Sequence, residues 1–180
     1  MKQRITLIYL FACACLVSAT TIIPVSIERL TSESSEVVEA RALSAWSQWN
    51  PQHSHIYTYT RFQVQRSLKG RVLGVVVVRQ IGGSAEGYTQ RVAGVRHWRM
   101  GEQAVLFLRP SENADSTYEV TGLMQGNFLV SQDSTGASTV SNGVTGVTSF
   151  DPSSHQTALY QGSRMKLEDL ESRVRKAAGQ

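Results

Sequence analysis

The chain has 180 residues, 41% hydrophobic and 18% charged, with a formal net charge of +4. That length and composition suit one globular domain with its own core. The mild charge rules out the strongly basic footprint that nucleic-acid binding requires.

The N-terminus reads as a secretory leader. Lys2 and Arg4 precede an apolar run from Ile5 to Val17, and Val17-Ser18-Ala19 supplies small residues for cleavage. Cleavage after Ala19 leaves residues 20–180, with the formal charge lowered to +2 by loss of Lys2 and Arg4. Ser18, Thr20, Thr21 and Pro24 dilute the continuation of the run, which favours a cleaved leader over an anchor and predicts no membrane span afterwards. Both cysteines, Cys13 and Cys15, fall inside the leader, so the mature chain holds no disulfide. Lipidation fits poorly: Phe11 is bulky before Cys13, and the stretch before Cys15 lacks the leading leucine. The expected location is periplasmic or extracellular.

The next segment, 26–35, predicts a short helix capped by Ser26, with Ile27 and Leu30 as an i, i+3 apolar pair. Residues 36–49 are open between two readings. Val38, Ala40 and Ala42 alternate with Glu39 and Arg41 as in a strand, while the alanines also suit a helix. Residues 56–68 are rich in Tyr, Thr, Phe and Val and predict a strand, with Phe62, Val64 and Leu68 of one parity and a turn at Lys69-Gly70. The valine run 73–79 predicts a strand covered on both faces. Further strands are expected at 88–92, 103–109, 118–122, 127–131 and 137–141, with a tight turn at Asp133–Gly136. Residues 142–163, rich in Ser, Gly and Thr, read as an extended loop or linker. Residues 165–178 predict an amphipathic helix with Leu167, Leu170 and Val174 on its apolar stripe.

The glycine-rich loop after the valine run lacks the chemistry of a nucleotide site. Tyr88 and Thr89 follow Gly87 where a phosphate loop needs Lys and Ser or Thr opening a helix. A dinucleotide fingerprint fails for want of the same helix. Around Ser84 the last glycine of a nucleophile elbow is replaced by Glu86. The segment instead reads as a bend, with Gly82 and Gly83 taking positive φ, and as a recognition loop over 82–101. Arg91, Arg96, Trp98 and Arg99 are its expected contacts, because Arg and aromatics dominate recognition surfaces. His53-x-His55 has no partner at familiar metal-ligand spacing. Asp133-Ser134-Thr135-Gly136 is read as a turn and not as an aspartic-protease motif. No catalytic set, metal or cofactor is called for by these patterns.

The stretch Val120 to Phe128 has the form V-x-G-x-x-Q-G-x-F, and Gly101 to Leu108 the form G-E-x-x-x-x-F-L. Val64 to Gly70 gives V-x-x-x-L-K-G, behind an opening segment at Ser26–Thr31. Together these resemble a family of uncharacterised exported bacterial proteins, over roughly residues 26–131. The strand order also faintly resembles the netrin-like (tissue-inhibitor-of-metalloprotease) form of the OB barrel. That form carries an N-terminal cysteine cluster, which the mature chain lacks. The resemblance favours a strand over a helix for 37–46 and implies a barrel, and its members sometimes accompany secreted peptidases.

The expected architecture is therefore mainly β: a small OB-like antiparallel barrel or sandwich with a short N-terminal helix and a C-terminal amphipathic helix. It divides into a leader (1–19), a barrel-like domain (20–141), a linker (142–163) and a helix (164–180). The expected function is an exported, non-enzymatic binding module for a secreted or envelope protein such as a peptidase. The alternatives are a peptidase accessory or inhibitory protein, and an envelope hydrolase whose site only the fold assembles. Gln125, Gly126 and Asn127 are expected to be structural, with the Q-G pair serving a bulge.

Overall fold

The structure, a computed structural model, describes residues 21–71, 74–112, 115–142 and 147–179. The expected leader with Cys13 and Cys15, and Leu73 of the valine run, lie outside the described residues.

A two-residue strand, β1 (Thr21–Ile22), precedes helix α1 (Ile27–Glu33). Ser26 caps the helix as its position suggests, its Oγ accepting from the Arg29 N–H at 3.2 Å. Two long strands follow, β2 (Glu36–Trp49) and β3 (Ile56–Lys69), so the open segment 36–49 is a strand. Next come β4 (Val75–Ile81), a small hairpin of β5 (Gly83–Ala85) and β6 (Tyr88–Gln90), then β7 (Gln103–Pro110) and β8 (Tyr118–Val120). A 3-10 turn at Leu123–Gly126 leads into β9 (Asn127–Gln132) and β10 (Ser138–Ser141). Strands β11 (Val147–Asp151), β12 (Gln156–Tyr160) and β13 (Arg164–Lys166) precede helix α2 (Leu167–Ala177).

Five strands close an OB-like barrel in the order β2-β3-β4-β8-β7, with β7 pairing back onto β2. Three register shifts in the β2–β3 ladder, between Val37 and Val38, Glu39 and Ala40, and Ala42 and Ser44, supply the bends that closure requires. The barrel is not wholly antiparallel. Its closing pair, β4 with β8, runs parallel and is bridged only at Val78 and Tyr118. On its far side β7 also pairs with β9, which carries β10 and β13 away as an extension of the sheet.

Two cores share β2 and β7. Val38, Ala40, Ala42, Ala104, Leu106 and Leu108 point into the barrel with Phe62, Val76, Val78 and Trp98. The alternate residues Val37, Val105 and Phe107 point out, under Ile27 and Leu30 of α1 and Leu170 and Val174 of α2. Each fully buried aliphatic side chain contributes about 1.5–3 kcal/mol of transfer free energy. The doubly covered strand is thus β7 and not the valine run. In β4, Val76 and Val78 face the barrel, while Val75 is exposed and Val77 half-buried, because the helices dock on the other side of the molecule.

Two further expectations change. The segment 142–163 is not a plain linker: β11 and β12 form a regular antiparallel hairpin, and β1 adds to β11 in parallel. Val147 and Met124 bury beneath this sheet with Ile22 and Tyr160 packed against them. The Gln125-Gly126 pair closes a 3-10 turn instead of a bulge. A Cβ at Gly126 would overlap the Thr121 carbonyl oxygen and sit 3.1 Å from Phe107 Cβ, so backbone approach fixes the glycine.

Candidate functional site

Because β4 and β8 are bridged at one point only, the barrel opens beside that bridge. β4 continues through Arg79, Gln80 and Ile81, while the chain after Val120 turns away into the 3-10 turn. The opening is a cleft of about 790 Å³. Its walls come from β4, from β8 and the 3-10 turn, from Ile22 and Ile23 at the start of the described chain, and from Val95. Ile22, Ile23, Ile81, Val95, Val120, Leu123 and Met124 give the cleft an apolar wall. Ile23 and Leu123 stand exposed on the rim, at 54% and 62%.

Four charged residues line the cleft: Arg79, Arg109, Glu119 and Glu33. The Arg79 side chain is only 6% exposed and pairs with Glu119 Oε1. The second Glu119 oxygen accepts from Arg109 Nη2 at 3.3 Å. Burial opposes the charge on Arg79, but the ion pair with Glu119 outweighs it and holds the guanidinium above its ordinary pKa. Arg79 also lies 4.6 Å from the Tyr57 ring centroid, a cation–π contact. One carboxylate between two guanidiniums leaves a local positive excess. Glu33 on the cleft wall is taken up by Arg29 at 2.7 Å. Among the described residues, Arg79 Nε and Gln80 Oε1 are buried without a hydrogen-bond partner.

The residues expected to bind are placed differently. Trp98 is 4% exposed and packs edge-on to Phe62 at 4.9 Å between centroids. Its indole N–H donates to Asn127 Oδ1 at 3.0 Å. It is therefore a core residue, and its expected contact role is corrected on that ground. Arg96 donates to Glu102 Oε1 at 2.8 Å, and the Arg99 backbone N–H donates to Glu102 Oε2 at 2.9 Å. Glu102 thus staples the second half of the loop. The first half is the β5–β6 hairpin, so 82–101 is not structureless; Gly82 and Gly83 do take positive φ, +96° and +131°. Arg91 and Arg99 are exposed. Arg91 lines a smaller cleft of about 400 Å³ with Ser84 and His97, and Arg96 and Arg99 do not reach it. The loop touches the larger cleft through Val95.

The histidines are not gathered. His53 stacks on Trp49 at 5.3 Å, His55 Nδ1 meets Ser54 Oγ at 3.0 Å, and His97 Nε2 lies 3.3 Å from the Ile81 carbonyl. Among the described residues no group of three or more His, Cys, Asp or Glu could hold a metal ion. Neither cleft joins a histidine to Glu102 or Asp133.

Sequence reasoning missed Arg79, Glu119 and Arg109. The available signal was Arg79 ending a valine run, a charge placed where the strand was expected to be buried. Gln125 proves structural as expected: its Oε1 accepts from the Val25 N–H at 2.8 Å and its Nε2 donates to the Ile23 carbonyl at 3.0 Å. It thereby holds Ile23 at the cleft rim. Compared with protein-family models and with curated proteins, the chain matches none.

Proposed function

We propose that this chain is an exported, non-enzymatic interaction module that takes a segment of a secreted or envelope protein into the cleft between β4 and β8. The observation that carries this reading is the composition of the cleft: apolar walls and an exposed apolar rim around a desolvated ion pair with positive excess. Such a site suits a partner segment with apolar side chains flanking a carboxylate. Buried apolar and arginine anchors dominate protein interfaces, and a fixed positive charge sets their register. The loop 82–101 contributes Val95 to the wall, with Arg91 and Arg99 available as peripheral contacts.

The test is capture from native envelope and secreted fractions by the purified protein. Two variants are compared with it: Ile23→Lys with Leu123→Lys on the rim, and Arg91→Ala with Arg99→Ala on the loop. All four positions are exposed, so the fold tolerates the changes. A partner kept by the wild type and the loop variant, and reduced roughly tenfold or more by the rim variant, is the expected result. Loss only in the loop variant moves the site to the loop. No specific partner at low salt overturns the reading.

A further inference from the structure

The sheets of this molecule end in edges that differ in how they are guarded. At one end of the eight-stranded sheet, β13 is three residues long, carries Arg164 and Lys166, and runs directly into α2. At one end of the three-stranded sheet, β1 has two residues. At the other end lies β12, residues Gln156–Tyr160, and among the described residues no strand pairs with its outer side. Its sequence QTALY has no charge and no proline. Its register with β11 is regular over all five residues, without a bulge. Four of its five residues are exposed, and Leu159 is 67% exposed. Exposed edges are normally blunted by charge, proline, bulges or shortness, because their free N–H and C=O groups template a further strand. β12 has none of these devices, whereas β13 and β1 do.

We propose that β12 is a self-association edge, pairing antiparallel with β12 of a second copy of this chain. A two-fold axis through Ala158 pairs all five residues: Gln156 with Tyr160 of the second copy, Thr157 with its Leu159, and Ala158 with its Ala158. Any other antiparallel register leaves residues of the strand unpaired. The centred register places no charge against a like charge, which would destabilise the pairing, and it sets exposed Leu159 opposite Thr157 of the second copy. The result is one six-stranded sheet, β1-β11-β12 continued by its symmetry mate, through an isologous contact. A single five-residue ladder is smaller than a standard interface, so the dimer dissociates with a Kd between about 1 µM and about 1 mM. This inference is independent of the cleft.

The experiment is sedimentation velocity of the purified full chain with Cys13→Ser and Cys15→Ser, from about 10 µM to about 1 mM to bracket that range. The expected result is a weight-average mass rising toward twice the monomer value. Thr157→Lys with Leu159→Lys abolishes the rise, because lysines then oppose lysines. Mixing that variant with Thr157→Glu and Leu159→Glu restores a heterodimer. Circular dichroism of each variant verifies that it folds. In the same cysteine-free background, Ala158→Cys gives an oxidised dimer, because directly opposed residues lie about 4.5–5.5 Å apart at Cα, within disulfide reach. Ser149→Cys, one strand further in, does not. A constant monomer mass across the series, or a charge-swap mixture that stays monomeric, overturns the proposal. Equal cross-linking from both cysteines overturns the register and the two-fold pairing with it.

Discussion

Lys69 shows what the short motifs in this sequence accomplish. Its Nζ donates to the carbonyls of Thr31 and Ser34 at 2.6 and 2.7 Å, so the strand-end lysine closes the C-terminus of α1. Gly70 follows at φ +86°, and the buried Glu36 carboxylate accepts from the Arg71 backbone N–H at 2.6 Å and from Arg71 Nε at 3.0 Å. Gln125 and Glu102 act similarly on residues 23–25 and on the loop. These residues bear on folding, as does Trp98, whose role a sequence cannot assign because an aromatic in a loop is equally suited to either use. Its buried bond to Asn127 makes a sharp prediction. Trp98→Phe keeps most of the ring contact with Phe62 but strands the Asn127 oxygen, lowering unfolding free energy by about 1–3 kcal/mol. Trp98→Ala opens a cavity and lowers it by about 3–5 kcal/mol. Urea titrations check both; a loss under 1 kcal/mol for Ala, far below that range, would place Trp98 outside the core.

At the scale of elements, the β11–β12 hairpin is held at its turn by Asp151. The Ser153 and Ser154 hydroxyls and the Ser153 backbone N–H donate to its carboxylate at 2.7, 2.8 and 2.9 Å. Those bonds lower its pKa from 3.8 to about 2. A depressed native pKa means stability that is full above 3.8 and lost as pH falls toward about 2. Amide exchange in β11, read relative to β7, is therefore expected to be flat above that window and to quicken within it. Asp151→Asn should flatten the profile. A wild-type profile that stays flat to pH 2 removes Asp151 as the hairpin's anchor. Serine, glycine and threonine across 142–163 are what make it read as a linker. Its apolar residues are too few to show alternation, and Val147 buries because Met124 of the 3-10 turn and its cross-strand neighbour Tyr160 pack against it.

For the whole molecule, the decisive junction is where α2 meets the barrel. Arg66 of β3 pairs with both Glu39 of β2 and Glu171 of α2, whose side chains are 9% and 10% exposed, and Arg175 donates to Glu171 at 3.1 Å. Arg66 itself is 47% exposed, which weakens the pairing relative to a fully buried one. Arg66→Ala leaves the desolvated Glu39 carboxylate without its arginine and Glu171 with Arg175 alone, and is expected to lower stability by about 2–3 kcal/mol. Because β2 and β7 serve both cores, the loss should appear as one shifted transition by tryptophan fluorescence and far-UV circular dichroism together. Two separated transitions would show that α2 and the barrel unfold independently.

The elements whose information is local are legible in the residues themselves. The Ser26 cap, the alternation in 56–68, the Asp133–Gly136 turn and the Leu170–Val174 stripe are read from neighbours along the chain, and each is found in the structure. Packing sets which strand is covered twice, that the closing pair is parallel, and that Arg79, Glu119 and Arg109 meet in one cleft. Those outcomes depend on contacts between residues far apart in sequence. A valine run looks the same whether a helix covers its outer face or water does, and an arginine at its end acquires a partner only when the barrel closes.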